Sequence, residues 1–306
     1  GQLSTKYGKI EDMVMGLEGV LPDGSRFASK VTPRTAAGPR FDQLLIGSEG
    51  TLGVITAGTC RVRPVAEARH FAGYVYPDVS TGLRAIRLLM RAGLDPAAVR
   101  LYDEMDTTMT MTALGLDVSG CLLILVFEDV QALIDAKTSL ADRICREQEG
   151  CQPMGPGPGE HWWKHRYDIS YKQSIIYHGG MMVDTIEVAT RWSNLENLYD
   201  VMREAIGKRM TCLAHFSHVY PEGGSIYFTF VGRADGDDDA AAYLSVWEEA
   251  MKACLEAGGT ISHHHGIGVL KAPWMAEEHG ELLRIYHALK KSLDPNNILN
   301  PGKLVP

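Results

Sequence analysis

Three consecutive histidines, His263, His264 and His265, stand in the segment Ser262-His263-His264-His265-Gly266-Ile267-Gly268. With 11 histidines in 306 residues, composition alone does not produce such a run. In an extended segment His263 and His265 share one face and His264 takes the other. Imidazoles change charge near neutral pH, so the run reads as a cluster of general acids, bases or oxyanion donors. A solvated polar turn is the bland alternative. Zinc is a third, but the helical i, i+4 spacing and the cysteine pairs of zinc sites are missing, and no metal is expected.

Three other segments have residue types suited to chemistry. Gly47-Ser48-Glu49-Gly50-Thr51-Leu52-Gly53-Val54-Ile55 places glycines just before a β-branched run. Such a loop lets backbone N–H groups approach a phosphate or a planar ring, or it simply makes a tight turn. In Ser225-Ile226-Tyr227-Phe228-Thr229-Phe230, strand alternation turns Tyr227 and Thr229 away from the apolar residues. The phenol of Tyr227 is then either a packing group or a proton donor and acceptor. The tail, with Asn300, Pro301, Gly302, Lys303 and Leu304, is too rich in turn formers for a helix, and its apolar residues suggest docking.

The elements that must hold these groups follow from pattern. Residues 1–66 read as mainly β. Segments 13–15 and 19–21 look like paired strands, Pro22-Asp23-Gly24-Ser25 like a turn, and 52–56 and 59–63 like two strands split by Ala57-Gly58. From residue 67, strands are predicted at 71–76, 99–101, 121–127, 181–188, 210–219 and 225–232. Helices are predicted at 80–91 (capped by Ser80), 130–147, 193–206, from Asp237-Asp238-Asp239 to 257, and 275–293, with a loop at 155–159. That order predicts an α+β fold in which an antiparallel sheet is covered by helices on one face. The hydrophobic fraction of 45% and charged fraction of 22% suit a globular chain of about two domains. A net charge of −8 gives no general attraction to nucleic acid. No apolar run reaches membrane-spanning length, and six scattered cysteines without a C-x-x-C pair suggest reduced thiols and a cytoplasmic location, at most peripheral to a membrane.

Taken together, YGKIEDMV, VLPDG, GSEGTLGVIT, HGIG and DPNNILNPGK resemble the vanillyl-alcohol-oxidase-type flavoproteins. Within them HHHGIG, the Ile226-Tyr227-Phe228 triplet and Val99-Arg100-Leu101-Tyr102-Asp103 are most similar to the alkyldihydroxyacetonephosphate synthase branch. The resemblance implies the C-terminal part of an FAD-binding domain at 1–66, a cap or substrate domain at 67–306, and a tail, 294–306, that returns to the flavin. It implies FAD contacts from Glu49, Gly50, Thr51, Leu52, Gly53, Val54 and Ile55. Tyr227, His263, His264 and His265 would form the reaction centre, Arg100 a substrate contact, and Asn300 to Leu304 a segment needed for activity. Gln173, beside Lys172, stands where the synthases have a phosphate-binding arginine; a lysine offers a point charge without arginine's fork. The substrate expected is therefore lipid-like or a small anion. The implied reaction exchanges an acyl group for a fatty alcohol through a flavin–substrate adduct. NPGK also resembles the tails of FAD-dependent 2-hydroxy-acid dehydrogenases, and a non-catalytic subunit or fragment is the third reading. The family's glycine-rich pyrophosphate loop has no counterpart in this sequence. A missing N-terminal portion or partner chain, weak or absent FAD binding by this chain alone, and a homodimer are expected.

Overall fold

A computed structural model describes residues 1–112, 117–168, 177–233 and 239–305. Its secondary structure mixes helices with antiparallel sheets. The chain divides into two units, one of residues 7–64 and 264–306 (with residue 1), the other of 2–6 and 65–263.

The first unit holds a three-stranded antiparallel sheet. Its central strand β1 (Val14–Val20) lies between β2 (Arg26–Ala28) and β3 (Val54–Cys60). The expected turn is present: Leu21 and Ser25 are joined by a backbone hydrogen bond, and Gly24 takes φ 85. Residues 14–15 and 19–20, however, belong to one strand, whose partner β2 lies across that turn, while Met13 ends a short helix and Leu21 lies outside the strand. Residues 52–56 and 59–63 likewise contribute to the single strand β3. Gly58 does not break it, because Gly58 pairs with Leu17 in the ladder, and a Cβ there would rest on the Leu17 side chain at ordinary contact distance. The helix expected over 275–293 is divided into Met275–His279, a tight turn at Gly280–Leu282, and Leu283–Leu293. Gly280 adopts φ 53, which no α-helix can carry.

The second unit is built on seven antiparallel strands in the order β7-β4-β6-β5-β9-β10-β8. They are β4 (Ala68–Tyr76), β5 (Ala98–Tyr102), β6 (Cys121–Asp129), β7 (Gln152–Gly155), β8 (Met182–Arg191), β9 (Thr211–Ser217) and β10 (Gly223–Gly232). One face presents Leu101, Leu123, Leu125, Phe216, Ile226 and Phe228, each with no exposed surface. Four helices cover it. A Cβ at Gly82 of Val79–Arg91 would collide with Leu101, and Asp142 of Gln131–Arg146 accepts a hydrogen bond from Tyr74. Tyr199 of Leu195–Gly207 lies against Phe216 and Phe228, and Tyr243 of Asp239–Glu256 against Phe230.

The other face is not bare. Segment 155–159 was expected as a loop, but Gly155 ends β7 and Gly157 opens the helix Gly157–His165, with proline in its first turn where no amide partner is lost. Trp162 of that helix and Met111 of Glu104–Thr112 pack with Val75, Ala98, Leu122, Ile124 and Val126. The remainder of this face, on β5, β9, β10 and β8, carries polar groups. Asp237 and Asp238 lie outside the described residues. Among the described residues no helix is long and apolar enough to cross a membrane.

The helix Val79–Arg91 is capped by Asp78 rather than Ser80. Asp78 has the extended backbone of a cap, and its carboxylate accepts a 2.7 Å bond from the Thr81 amide. Ser80 instead lies 3.1 Å from Glu196 at the surface. Asp78→Ala is expected to lower folding stability by about 1 kcal/mol, and Ser80→Ala by a few tenths at most; urea unfolding of the two variants separates the alternatives.

Candidate functional site

Antiparallel register lines up four polar side chains across the open face of the large sheet. Tyr102 pairs with His215, His215 with Tyr227, and Tyr227 with Glu187. Residues directly opposite share a face, so a phenol, an imidazole, a phenol and a carboxylate form one rung. The rings of His215 and Tyr227 stack at 4.9 Å and 12°. Two residues along, Arg100, Ser217 and Ser225 form the next rung. Arg100 donates from Nε to the Tyr102 hydroxyl at 2.9 Å, and its Nη2 lies 2.6 Å from His215 Nε2. His215 Nδ1 is 3.1 Å from Asp106. Among the described residues no carboxylate touches Arg100 directly, although the residue is buried. Among the described residues the Ser217 hydroxyl beside it is buried without a hydrogen-bond partner, and so is the indole N–H of Trp162, whose ring lies 5.5 Å from the guanidinium. A buried cation with neutral ligands and an unused neighbouring hydroxyl suit an anion.

Burial sets the protonation states here. It pushes His215 down to about 4, with the Arg100 charge acting the same way and Asp106 opposing. His215 is therefore neutral at pH 7. The Tyr227 phenol is pushed well above the usual tyrosine range, first by burial and then by the Glu187 charge, with Arg100 opposing. Tyr227 is thus a protonated phenol at neutral pH.

A second group of polar residues adjoins Tyr227. β9 ends at Ser217, and His218 then takes φ 53, the left-handed region that few non-glycine residues occupy. This turns its imidazole toward Tyr227 and Ser4, and its ring lies 5.4 Å from that of His263. Glu187, with no exposed surface, accepts from the His263 amide at 3.0 Å. The structure thus brings Tyr227, Arg100 and His263 into one unit, together with His215, His218, Ser4, Tyr220, Asp106 and Glu187, which sequence reasoning did not single out. The signals for these were slight: His215 on the polar alternation of a strand, and Glu187 as a charge within an apolar one.

The histidine run is not an extended strand. Residues 263–265 form bends, so the alternation expected for His263, His264 and His265 does not apply. The second unit ends at His263 and the first resumes at His264. His264 and His265 are both exposed, with rings 4.6 Å apart. Lys172 and Gln173 lie outside the described residues.

In the first unit, three sequence motifs meet at Glu49. Its carboxylate accepts from the Ile267 amide at 2.6 Å and the Gly268 amide at 2.8 Å, and its carbonyl accepts from Asn300 Nδ2 at 2.5 Å. A Cβ at Gly266 would fall 2.7 Å from Glu49 Oε1, and one at Gly50 would fall 2.8 Å from Asn300 Nδ2. Thr51 is engaged by Tyr286 and Lys290, and Leu52 is buried. Gly53 sits against the Val20 carbonyl, while Val54 and Ile55 are half exposed. The tail docks as expected: Leu304 is buried, its amide donating to the Gly268 carbonyl. Pro301, Gly302 and Lys303 form the turn before it, closed from the Lys303 amide to the Asn300 carbonyl. Burial works to raise Asp294, but the Lys290 ammonium and the Leu299 and Ile298 amides hold it at about 2. A cleft of about 1200 Å³ in the same unit is lined by Phe27, Phe41, Leu45 and Leu52 and edged by Arg34 and Arg61.

Residues 65–304 match the family of FAD linked oxidases, C-terminal domain, and the chain belongs to that family. It is 28% identical to an alkyldihydroxyacetonephosphate synthase of Dictyostelium discoideum, over 100% of this chain and 55% of that protein. It is 32% identical to the uncharacterized FAD-linked oxidoreductase YgcU of Escherichia coli O157:H7, over 100% of this chain and 66% of that one. A solved alkyldihydroxyacetonephosphate synthase structure superposes with a TM-score of 0.76 at 25% identity, covering 99% of this chain and 55% of that one. The chain spans between about half and two thirds of the length of these relatives.

Two outcomes test this geometry. Glu49→Gln keeps one acceptor oxygen where two amides need one each, and is expected to cost about 1–3 kcal/mol in denaturant unfolding. His215 is held neutral by the fold, so the unfolded state binds the extra proton between the ordinary imidazole value of 6.5 and about 4. Its contribution to stability is present above pH 6.5 and is lost as pH falls toward 4. Urea midpoints across that range are expected to fall more steeply in the parent protein than in His215→Asn, where Arg100 and Asp106 remain but the titrating ring is gone.

Proposed function

We propose that this chain provides the substrate-handling residues of an FAD-dependent enzyme of the alkyldihydroxyacetonephosphate synthase type, which replaces an acyl group by a long-chain alcohol on an acylated, phosphorylated ketone. The observation that carries the reading is the Tyr227 phenol, stacked on neutral His215 on the sheet face that also bears the buried cation Arg100. The similarity to synthases over the whole chain supports the reaction type. The cleft in the first unit suits FAD in size and in its mixture of aromatic, aliphatic and arginine lining. Leu52 lines that cleft, and the exposed Val54 and Ile55 on β3 offer further apolar surface for a planar ring. Bound FAD supplies the electrophilic and redox-active centre.

The protein's own groups manage the anion and the proton. Arg100 and the free Ser217 hydroxyl hold the anionic end of the substrate. Tyr227 takes the proton from the reacting carbon and returns it, and neutral His215 keeps the phenol in place by stacking. The indole N–H of Trp162 offers a further donor to the same end. An oxidoreductase acting on a 2-hydroxy acid would use the same arginine for a carboxylate, and similarity to a mitochondrial D-lactate dehydrogenase of Arabidopsis thaliana, 27% identical over 100% of this chain and 54% of that protein, supports that second reading.

The deciding experiment uses the complete FAD-loaded protein and follows incorporation of labelled long-chain alcohol into acylated dihydroxyacetone phosphate. Tyr227→Phe is expected to lower turnover about 10²–10⁴-fold while its melting temperature and flavin absorbance stay near those of the parent, because one oxygen changes little packing volume. Flavin bleaching by glycolate or D-lactate without alcohol incorporation would replace the synthase reading by the oxidoreductase one.

A further inference from the structure

His218 joins Tyr227 to a second acid–base pair. Its Nε2 lies 3.4 Å from the Tyr227 hydroxyl, at the long end of a hydrogen bond, and its Nδ1 lies 2.8 Å from Ser4 Oγ. Ser4 Oγ is 2.9 Å from the Tyr220 hydroxyl, which is 3.0 Å from His263 Nε2. His263 Nδ1 in turn faces the fully buried Glu187 carboxylate at 3.4 Å. Each hydroxyl in this row can donate and accept at once, and each imidazole has a nitrogen for either side. One orientation runs without a break from Tyr227 to Glu187: both imidazoles carry their proton on Nδ1, and every hydroxyl donates toward His263.

We propose that His218 is a proton-relay residue: when Tyr227 takes up a proton from substrate, His218 accepts the phenolic proton, and the row through Ser4 and Tyr220 delivers one to His263. This rests on the assignment of Tyr227 given above. The step balances. The substrate proton bonds to the Tyr227 oxygen as the Tyr227 O–H bond breaks toward His218 Nε2. His218 releases its Nδ1 proton to Ser4, Ser4 passes one to Tyr220, and Tyr220 passes one to His263 Nε2. At the end Tyr227 is again a neutral phenol, His218 is a neutral imidazole protonated on Nε2, and His263 is an imidazolium facing the Glu187 carboxylate. The electron pair of the broken substrate bond stays on the substrate.

The site has need of such a row. A buried phenol held protonated by its surroundings cannot serve as a base unless its own proton departs in the same step. The charged and titratable groups facing it are Arg100 from β5, His215 from β9, Glu187 from β8 and Tyr220, and His218 Nε2 lies within hydrogen-bond distance of the hydroxyl. The left-handed backbone of His218 costs conformational energy, as at positions where a side chain must be aimed.

Histidine-selective ¹⁵N labelling of the full chain reads each ring's tautomer with neither flavin nor substrate present. The expected spectrum has His218 and His263 both protonated on Nδ1. In Ser4→Ala, where Nδ1 has lost its acceptor, His218 is expected to switch to the Nε2–H form. An Nε2–H tautomer of His218 in the parent protein overturns the relay, and so does a tautomer indifferent to Ser4→Ala. In the alcohol-exchange assay His218→Asn, whose side chain tolerates a left-handed backbone, is expected to lose about 10²–10⁴-fold in turnover at an unchanged folding midpoint. Full turnover in that variant, with loss in Tyr227→Phe, overturns the relay and leaves the Tyr227 assignment standing. Full turnover in Tyr227→Phe overturns the assignment, and the relay with it.

Discussion

The register of β5, β9, β10 and β8 is the constraint on which the polar site of the second unit depends. Side chains alternate along a strand, so a slip of one residue in β10 would send Tyr227 into the core and Phe228 out of it. Such a slip is opposed by Ile226, Phe228 and Phe230, each without exposed surface. Burying a side chain of that size is worth about 1.5–3 kcal/mol, so the helix-covered face fixes the register with energy to spare. The polar face contributes little to that decision. It inherits an alignment of Tyr102, His215, Tyr227 and Glu187 that packing on the opposite side enforces.

The same burial sets the electrostatics. Taking a carboxylate or guanidinium out of water is costly unless hydrogen bonds replace the lost hydration. Asp103 illustrates the solution on the helix side: burial raises its carboxyl, while the Asp106 and Ala214 amides and the Arg203 guanidinium oppose that rise. Glu187 is met by the His263 amide and the Ser262 hydroxyl. Arg100 departs from this pattern, with a phenol and an imidazole as its direct partners. A buried cation left with neutral partners gains most from an incoming anion, whereas the carboxylates on the same sheet already have their donors. Structural ion pairing and ligand-ready charge are thus distinguishable within one layer.

Much of the fold was legible in the sequence, since strands such as Cys121–Asp129 and helices such as Leu195–Gly207 show their period directly. The alternation placing Tyr227 opposite Phe228 was legible for the same reason. What was not legible depends on pairing between distant segments. His215 matters because β9 lies beside β10 in one particular register, and Ser4 because a segment more than 200 residues away in sequence comes to rest beside His218. The histidine run misled because an extended backbone was assumed. Glycine at 266 and 268, both with positive φ, instead suits a chain that bends as it leaves the run. The cap of Val79–Arg91 was misplaced by two residues because Asp78 and Ser80 are both good caps, and only the backbone angles choose between them.

Glu49 shows that a motif read as a ligand contact also carries structural bonds of its own. The glycine-rich segment around it looked like a loop opened for a ligand, yet its carboxylate and carbonyl and the Thr51 hydroxyl and carbonyl are all bound to protein groups. Gly50 and Gly266 are small because Asn300 and Glu49 fill the space a Cβ would need. The motif therefore locks three chain segments, including the tail, into one arrangement, while Leu52 lines the cleft and Val54 and Ile55 are half exposed. Substituting Glu49 or Asn300 would loosen that arrangement. A loss of function in the tail is accordingly evidence about this lock first, and about ligand contact only where folding is shown to be intact.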